Sequence, residues 1–489
     1  VHFDRNLIVI GAGSAGLVAA YIAAAVKARV TLVEKHRMGG DCLNTGCVPS
    51  KTLLRSAKLL SQIRRARDYG IAHASAEFSF ADVMDRVQRV IQTVAPHDSA
   101  ERYRELGVEC LQGEARITSP YTVEVKGADG VQVLTTRAIV VATGARPYVP
   151  PIPGIDAMEC LTSDTIWSLR ELPRCLLVLG AGPIGCELAQ CFARLGSQVI
   201  QVEMLPRLLS REDPDVSQML TRRMADEGVD VRTGHVAKRF LSRGGQKLLI
   251  AESEDCEVEI AFDVLLCAVG RVANTTGYGL EELGIGTTPA RTIETNQYLQ
   301  TRYPNILACG DVAGPFQFTH MAAHQAWYAS VNALFGGFRR FRVDYSVVPW
   351  ATFTDPEVAR VGLNESEARA KGVAYEVTTY GIDELDRAIT DEEAWGIVKV
   401  LTVPGKDRVL GATIVGAHAG DLIAEFVTAM KHGIGLNRML GTIHAYPTLT
   451  EANKYAAGAW KRAHAPARLL ALLGRIHAWR LGGAGRVTR

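Results

Sequence analysis

The chain has 489 residues, 47% of them apolar and 22% charged, which allows about three domains and gives it the composition of a folded globular protein. No apolar run is long enough to span a bilayer, and a formal net charge of +2 gives no reason to expect nucleic acid as a partner. Ten cysteines at this length are too sparse for a secreted disulfide scaffold.

The sequence enters a strand almost at once, at Leu7-Ile8-Val9-Ile10, and nothing ahead of it reads as a cleavable signal. The expected location is cytoplasmic, and a first residue that is Val rather than Met fits a processed or truncated start. The strand runs into Gly11-Ala12-Gly13-Ser14-Ala15-Gly16, a helical apolar stretch, and a strand Val30-Thr31-Leu32-Val33 ending at Glu34. The pattern returns as Leu176-Leu177-Val178-Leu179, Gly180-Ala181-Gly182-Pro183-Ile184-Gly185, a helix, and Gln198 to Val202 ending at Glu203. In both copies the acid lies 18 positions after the third glycine.

Dinucleotide binding needs this layout. The first glycine permits a tight turn, and the second lets backbone amides approach a pyrophosphate. The third packs the helix on the strand, so that its N-terminal dipole faces the phosphates. The carboxylate then accepts from a ribose hydroxyl. Two ordinary glycine turns are the bland alternative, but the whole pattern occurring twice makes it the poorer one.

Between the copies lies Gly39-Gly40-Asp41-Cys42-Leu43-Asn44-Thr45-Gly46-Cys47-Val48-Pro49-Ser50-Lys51. Cysteines with four residues between them can form a disulfide inside one helical turn, with one sulfur toward a cofactor and the other toward a substrate. A buried structural disulfide is the alternative. No metal site is expected, since no second Cys/His pair follows at zinc-ligand spacing. The eight remaining cysteines are scattered, mostly among apolar residues, and read as small core side chains.

Further along come Ile139 to Val141 leading into Ala142-Thr143-Gly144, a proline-rich crossing Tyr148 to Gly154, and Leu266 to Val269 leading into Gly270-Arg271. Then follows Ile306-Leu307-Ala308-Cys309-Gly310-Asp311. From Tyr345 onward the chain changes character, with extended segments near 396–401 and 409–415 followed by helical stretches.

Over roughly residues 6–462 these motifs, in this order, resemble the flavin-dependent pyridine nucleotide-disulfide oxidoreductases, including dihydrolipoamide dehydrogenase, glutathione reductase and mercuric reductase. The resemblance implies an α/β fold with two Rossmann-like dinucleotide-binding domains, for FAD and NAD(P), and a C-terminal α+β dimerisation domain. The FAD domain would take residues 1–150 and 273–345, around a nicotinamide domain at 151–272. Dimerisation would use 346–465, leaving a basic tail at 466–489. FAD would lie on Gly11, Gly13, Gly16, Glu34, Thr143, Gly144, Gly310 and Asp311, the last bonding its ribitol chain. The nicotinamide cofactor would lie on Gly180, Gly182, Gly185 and Glu203, with Gly270 and Arg271 in the return segment. Lys51 and Glu187 would pair beside the flavin, where the cation steadies its reduced anion. Cys47 would be the sulfur nearest the flavin and Cys42 the thiol that attacks the substrate. Residues of both chains of an obligate homodimer would build each active site. Glu203 favours NADH, because a carboxylate repels the extra phosphate of NADPH, although Arg207 and Arg211 could blunt that repulsion.

Two positions depart from the family. Asp41 stands where relatives usually carry threonine and should hold the Cys42 thiol up unless it points away. Near the C-terminus, in Ile443-His444-Ala445-Tyr446-Pro447-Thr448-Leu449-Thr450-Glu451, Tyr446 takes the place of the histidine that shuttles the thiol proton, while Glu451 remains. A phenol of reference pKa about 10 is a poor base at neutral pH, and a lost acid–base group costs about 10²–10⁴-fold. His444 could substitute, but a packing role is favoured for it. Tyrosine at this place is what mercuric reductase carries, yet no cysteine follows Cys309 to deliver a metal. After Glu451 there are eight Lys/Arg and no acid, and the apolar, arginine-bearing tail could meet an anionic membrane or pack on the dimer.

The expected function is a homodimeric FAD-dependent, NADH-linked reductase that passes electrons through Cys42–Cys47 to a metal ion, a disulfide or a small electrophile. The alternatives are a dihydrolipoamide dehydrogenase-like enzyme, a diaphorase reducing quinones, or a redox sensor with vestigial flavin chemistry.

Overall fold

The computed structural model describes residues 2–481, and the chain divides into two compact units at Tyr345/Ser346. The first is built on two parallel sheets. In one, strands Arg5–Ile10, Val30–Glu34 and Val108–Gln112 run parallel beside Gly130–Val141 and Ile306–Ala308. Alternation along the strands divides their side chains between two cores. Leu7, Val9, Leu32 and Val140 pack with the alanine-rich helix Ser14–Ala25 and with Ala322, Ala326 and Ala329 of helix Thr319–Phe335. Ile8, Ile10, Val33, Ile139 and Val141 face the other way, onto Ile117, Val123, Tyr278 and Leu280. Burial on both faces is why these strands read as unbroken apolar runs.

The second sheet is ordered Val229–Thr233, Gln198–Glu203, Cys175–Leu179, Val264–Cys267 and Leu161–Thr162, all parallel. A three-stranded antiparallel meander over 236–262 packs Phe240, Leu249, Ile260 and Phe262 against Leu177 and Leu179. The chain enters and leaves this part through a short antiparallel pair, Ala145–Pro147 with Arg271–Ala273.

The second unit is α+β. Its five antiparallel strands lie in the order Pro349–Thr352, Glu357–Gly362, Val409–Gly416, Ile397–Thr402, Glu376–Gly381. Helices Ala419–Lys431 and Glu451–Ala463 supply Phe426, Ala456, Ala457 and Trp460 to its core. A final helix, Ala467–Arg480, buries no side chain and leaves Leu469, Leu470, Leu472 and Trp479 exposed. The rest of the basic tail, 482–489, lies outside the described residues. No described helix is long and apolar enough to cross a membrane. One cysteine departs from the core reading: Cys256 begins an outer strand of the meander and is exposed.

Candidate active site

The two glycine turns are duplicates down to individual hydrogen bonds. Glu34 accepts from the Ala12 and His36 amides, both at 2.7 Å, and Glu203 accepts from the Ala181 and Leu205 amides at 2.7 and 2.8 Å. Each acid thus braces the turn whose ligand it would meet. A Cβ on Gly16 would lie 1.8 Å from the Gly11 carbonyl oxygen, and one on Gly185 2.3 Å from that of Gly180. A Cβ on Gly182 would meet nothing within 4 Å, which leaves room for a phosphate. Thr143 donates to the Asn274 carbonyl at 2.8 Å, and the Gly144 carbonyl accepts from the Asn274 amide, tying the two crossing segments together. The Gly310 amide donates to Gln325 at 2.7 Å, and burial pushes the neighbouring Asp311 carboxyl up to about 6.

The cysteine-bearing loop is seated directly on the first turn. The Gly39 amide donates to the Ala12 carbonyl at 2.9 Å, and a Cβ on Gly40 would lie 2.6 Å from the Gly13 Cα. Only a glycine at position 40 lets the loop approach so closely.

The two thiols do not share a helical turn, contrary to the sequence expectation. Cys42 lies in the short helix Gly40–Asn44 and Cys47 opens the helix Cys47–Arg64, with a break at Thr45-Gly46. Five steps along an unbroken helix rise about 7.5 Å, beyond the usual Cα separation of a disulfide, so the break is what brings the sulfurs together. The two sulfurs face one another, and each shifts the other's proton. The Cys47 thiol is pulled down to about 6, first by the hydrogen bond from Cys42, with burial opposing and the Thr319 hydroxyl and Lys51 assisting. Its place at the N-terminus of an 18-residue helix favours the anion further. Cys42 keeps its proton: facing the Cys47 sulfur and half-buried, its thiol is pushed well above the ordinary range.

Asp41 does not act on Cys42 as the sequence suggested. Its carboxylate pairs with the Arg271 guanidinium, which also donates to the Ala145 carbonyl at 2.9 Å and lies 3.4 Å from the Ser163 hydroxyl. Arg271, expected among the cofactor-binding residues, is engaged by protein groups around the crossing, while Gly270 adopts φ +136° and accepts from the Tyr148 amide. Lys51 pairs with Glu187 at 2.8 Å, linking the cysteine-bearing helix to the helix of the second glycine turn.

Several residues near the thiols carried no signal in the sequence. The Thr319 hydroxyl lies 3.4 Å from the Cys47 sulfur, and Ser14, inside the first glycine motif, reaches Cys42. The Trp167 indole donates to the Thr45 carbonyl at 2.8 Å, in the break itself. Folding alone brings these groups together from distant parts of the chain.

In the second unit Tyr446 is exposed and donates to Asp386 at 2.9 Å. That hydrogen bond to a carboxylate holds the phenol above its ordinary range. Glu451 is buried and turned elsewhere, accepting from the Thr448 amide at 3.4 Å and the Tyr455 hydroxyl at 3.3 Å. Both His444 ring nitrogens are occupied, by the Thr442 carbonyl at 3.0 Å and Glu425 at 2.9 Å.

Residues 5–326 match the pyridine nucleotide-disulphide oxidoreductase family, and residues 348–457 match the dimerisation domain of the same family. The chain belongs to this family. Among relatives of this oxidoreductase, the mercuric reductase of Lysinibacillus sphaericus is 33% identical over 454 residues, covering 93% of this chain and 82% of that protein. The dihydrolipoyl dehydrogenase of Chlamydia muridarum is 32% identical over 450 residues, 91% of this chain and 94% of the other. Among solved structures, a Cu(II) complex of the HOCl-induced flavoprotein disulfide reductase RclA from Escherichia coli superposes with a TM-score of 0.83 at 27% identity, over 93% of this chain and 99% of that one.

Membership makes this an oxidoreductase dependent on FAD and a pyridine nucleotide, with a dimerisation domain that supports a homodimer. The residues present fit both nucleotides: two braced glycine turns and an Asp311 carboxyl suited to accepting from a polyol. Such a nucleotide pair supplies hydride transfer and two-electron reduction of a neighbouring disulfide. The chain's own part is to set the thiols against the first turn and to keep Cys47 ionised. In reduced protein, alkylation of Cys47 by iodoacetamide should therefore rise with pH through a midpoint near 6. The sign follows from the thiolate being the nucleophile, present above its pKa. Cys42→Ala removes the donor and should move the midpoint up toward the ordinary thiol value of about 8.5, whereas Cys42→Ser, which still donates, should move it less. Rate against pH, followed by peptide mass spectrometry at Cys47, checks both.

Proposed function

We propose that this flavoprotein is a cytoplasmic, NADH-linked reductase whose Cys42–Cys47 dithiol delivers electrons to a soft metal ion rather than to an organic disulfide. In this reading the FAD domain takes 1–150 and 273–345, the nicotinamide domain 151–272 and dimerisation 346–465, with each site completed by the partner chain.

The observation that carries the reading is the Tyr446–Asp386 hydrogen bond, beside a Glu451 committed to Thr448 and Tyr455. A phenol held protonated by a carboxylate cannot take the thiol proton at neutral pH. Reduction of an organic disulfide needs that proton moved, because the leaving thiolates must be protonated. Exchange of a soft metal between thiolates does not, and Cys47 is already biased to the anion. Similarity to mercuric reductases, and to a disulfide reductase solved as a Cu(II) complex, supports the same reading.

The test is steady-state turnover with NADH against Hg(II), Cu(II), lipoamide, glutathione disulfide and quinones. Metal-dependent NADH oxidation should exceed disulfide-dependent oxidation by about 10²-fold or more, and Tyr446→His should raise the disulfide rates by at least about tenfold. Fast lipoamide turnover by the unaltered protein would overturn the reading.

NADH preference rests on Glu203, which stands at the strand end where a 2'-phosphate would come. The kcat/KM for NADH should exceed that for NADPH by about tenfold or more, and Glu203→Ala should narrow the ratio. Equal use of both cofactors by the unaltered chain would remove this part.

A further inference from the structure

A second pair of thiols shares one face of adjacent strands, far from Cys42 and Cys47 in sequence. Cys160 immediately precedes the strand Leu161–Thr162, which runs parallel to Val264–Cys267 with Leu161 opposite Leu266 and Thr162 opposite Cys267. Alternation puts Cys160, two positions before Thr162, on the face that Cys267 occupies. The two sulfurs are near enough for each to shift the other's proton, raising the Cys160 thiol and lowering that of Cys267, while the Cys160 thiol also donates to the Leu161 carbonyl at 3.5 Å. Both pack in the apolar cluster formed with Leu179 and Leu265. Cys267 is buried, 2% exposed, whereas Cys160 is half-buried, so a reagent from solvent meets Cys160 first.

The surroundings connect this pair to both nucleotide machinery and the redox loop. The Cys267 sulfur lies 3.5 Å from the Tyr148 carbonyl, and the Tyr148 amide donates to Gly270, beside the Arg271 that holds Asp41. The next residue, Ala268, forms the floor of the second glycine turn: a Cβ on Gly180 would lie 2.6 Å from its carbonyl oxygen. On the other side, Ser163 lies three residues beyond Cys160, with its carbonyl accepting from Trp167, which also donates to Thr45.

We propose that Cys160 and Cys267 are a second oxidisable dithiol, closed to a disulfide by a hydroperoxide, and that closure slows flavin reduction by the pyridine nucleotide. The chemistry balances with that one oxidant. Once the pair has lost a proton the anion rests on Cys267; transfer of the Cys160 proton to the Cys267 sulfur then gives the Cys160 thiolate, which attacks the terminal peroxide oxygen. The O–O bond breaks, Cys160 becomes a sulfenic acid, and the alkoxide leaves with a proton from water. Cys267 then attacks the sulfenic sulfur: the S–S bond forms, the S–O bond breaks, and the hydroxide departs as water with the Cys267 proton. Two thiols are oxidised by two electrons, and the hydroperoxide is reduced to an alcohol and water. The new bond draws Cys267 toward Cys160 and away from the strand end that supports Gly180, where the pyridine nucleotide sits.

The experiment uses the full-length flavoprotein carrying Cys42→Ser and Cys47→Ser, which leaves eight of the ten cysteines. It is treated with hydrogen peroxide, free thiols are alkylated, and peptides are mapped by mass spectrometry. The exposed Cys256 reports peroxide dose. The expected result is a 160–267 cross-linked peptide lighter by two hydrogens, formed at or below the dose that oxidises Cys256. Stopped-flow flavin reduction by NADH or NADPH should slow several-fold and recover with dithiothreitol. The same variant with Cys160→Ser added should keep its rate. Two free thiols at doses that oxidise Cys256, Cys160 recovered as sulfinic acid beside a free Cys267, or a cross-link with unchanged flavin reduction would each overturn the proposal.

Discussion

Replacing Cys42 or Cys47 by serine is expected to lower turnover of metal ions and disulfides by about 10³-fold or more while NADH still bleaches the flavin. Serine preserves the size and hydrogen-bonding of either thiol, so the loop on Gly13 and the break at Gly46 should persist. What it removes is a sulfur able to form and cleave an S–S bond, since a hydroxyl provides no comparable nucleophile at neutral pH. The nucleotide turns are held by Glu34, Glu203 and their amide donors, none of which involves a cysteine. Flavin content and the rate of its reduction should therefore stay within about twofold of the unaltered protein. Quinones, which accept electrons without a dithiol, serve as the control. If both serine variants kept full metal turnover, the pair would not carry the electrons.

The nucleotide turns were legible because each demands glycine at set positions, and a Cβ at Gly16 or Gly185 would run into carbonyl oxygen. Apolar strands buried on both faces gave the parallel sheets for the same local reason. The cysteine spacing pointed to a pair able to meet, but not to its geometry: the break at Thr45-Gly46 goes with Gly40 meeting Gly13 and Trp167 bonding Thr45. Asp41 shows the limit most clearly. Read along the chain, its charge bears on Cys42. In the fold it meets Arg271, which is 230 positions away and whose role no local pattern could reveal. Tyr446 could be read as the departure from a base, while its partner Asp386 could not. The Cys160–Cys267 juxtaposition was likewise invisible, because both residues look like ordinary core thiols until strand register brings them together.

The sharpest contrast should come from two alanine substitutions that differ only in where the methyl group points. Gly16→Ala is expected to yield protein without bound flavin, or no folded protein at all. Its Cβ would sit 1.8 Å from the Gly11 carbonyl oxygen and 3.4 Å from Val9, so the helix Ser14–Ala25 must pull away from strand Arg5–Ile10. That shift removes the amides facing the FAD pyrophosphate and loosens the seat of Gly40, on which the thiols depend. Gly182→Ala should behave differently. Position 182 has φ −72°, which alanine adopts without strain, and its Cβ would meet no protein atom within 4 Å. The variant should fold, stay yellow and keep its melting temperature, because the added methyl occupies only the space reserved for a phosphate. Its KM for the pyridine nucleotide should rise about tenfold or more, through displaced amide–phosphate contacts each worth roughly 1.5–3 kcal/mol. Flavin content by absorbance after gel filtration and NADH titration of flavin reduction separate the two outcomes. Unchanged NADH affinity in Gly182→Ala would mean that the second turn does not hold the nucleotide's phosphates, and that the matching of two glycine turns, from Glu34 to Glu203, reflects packing alone.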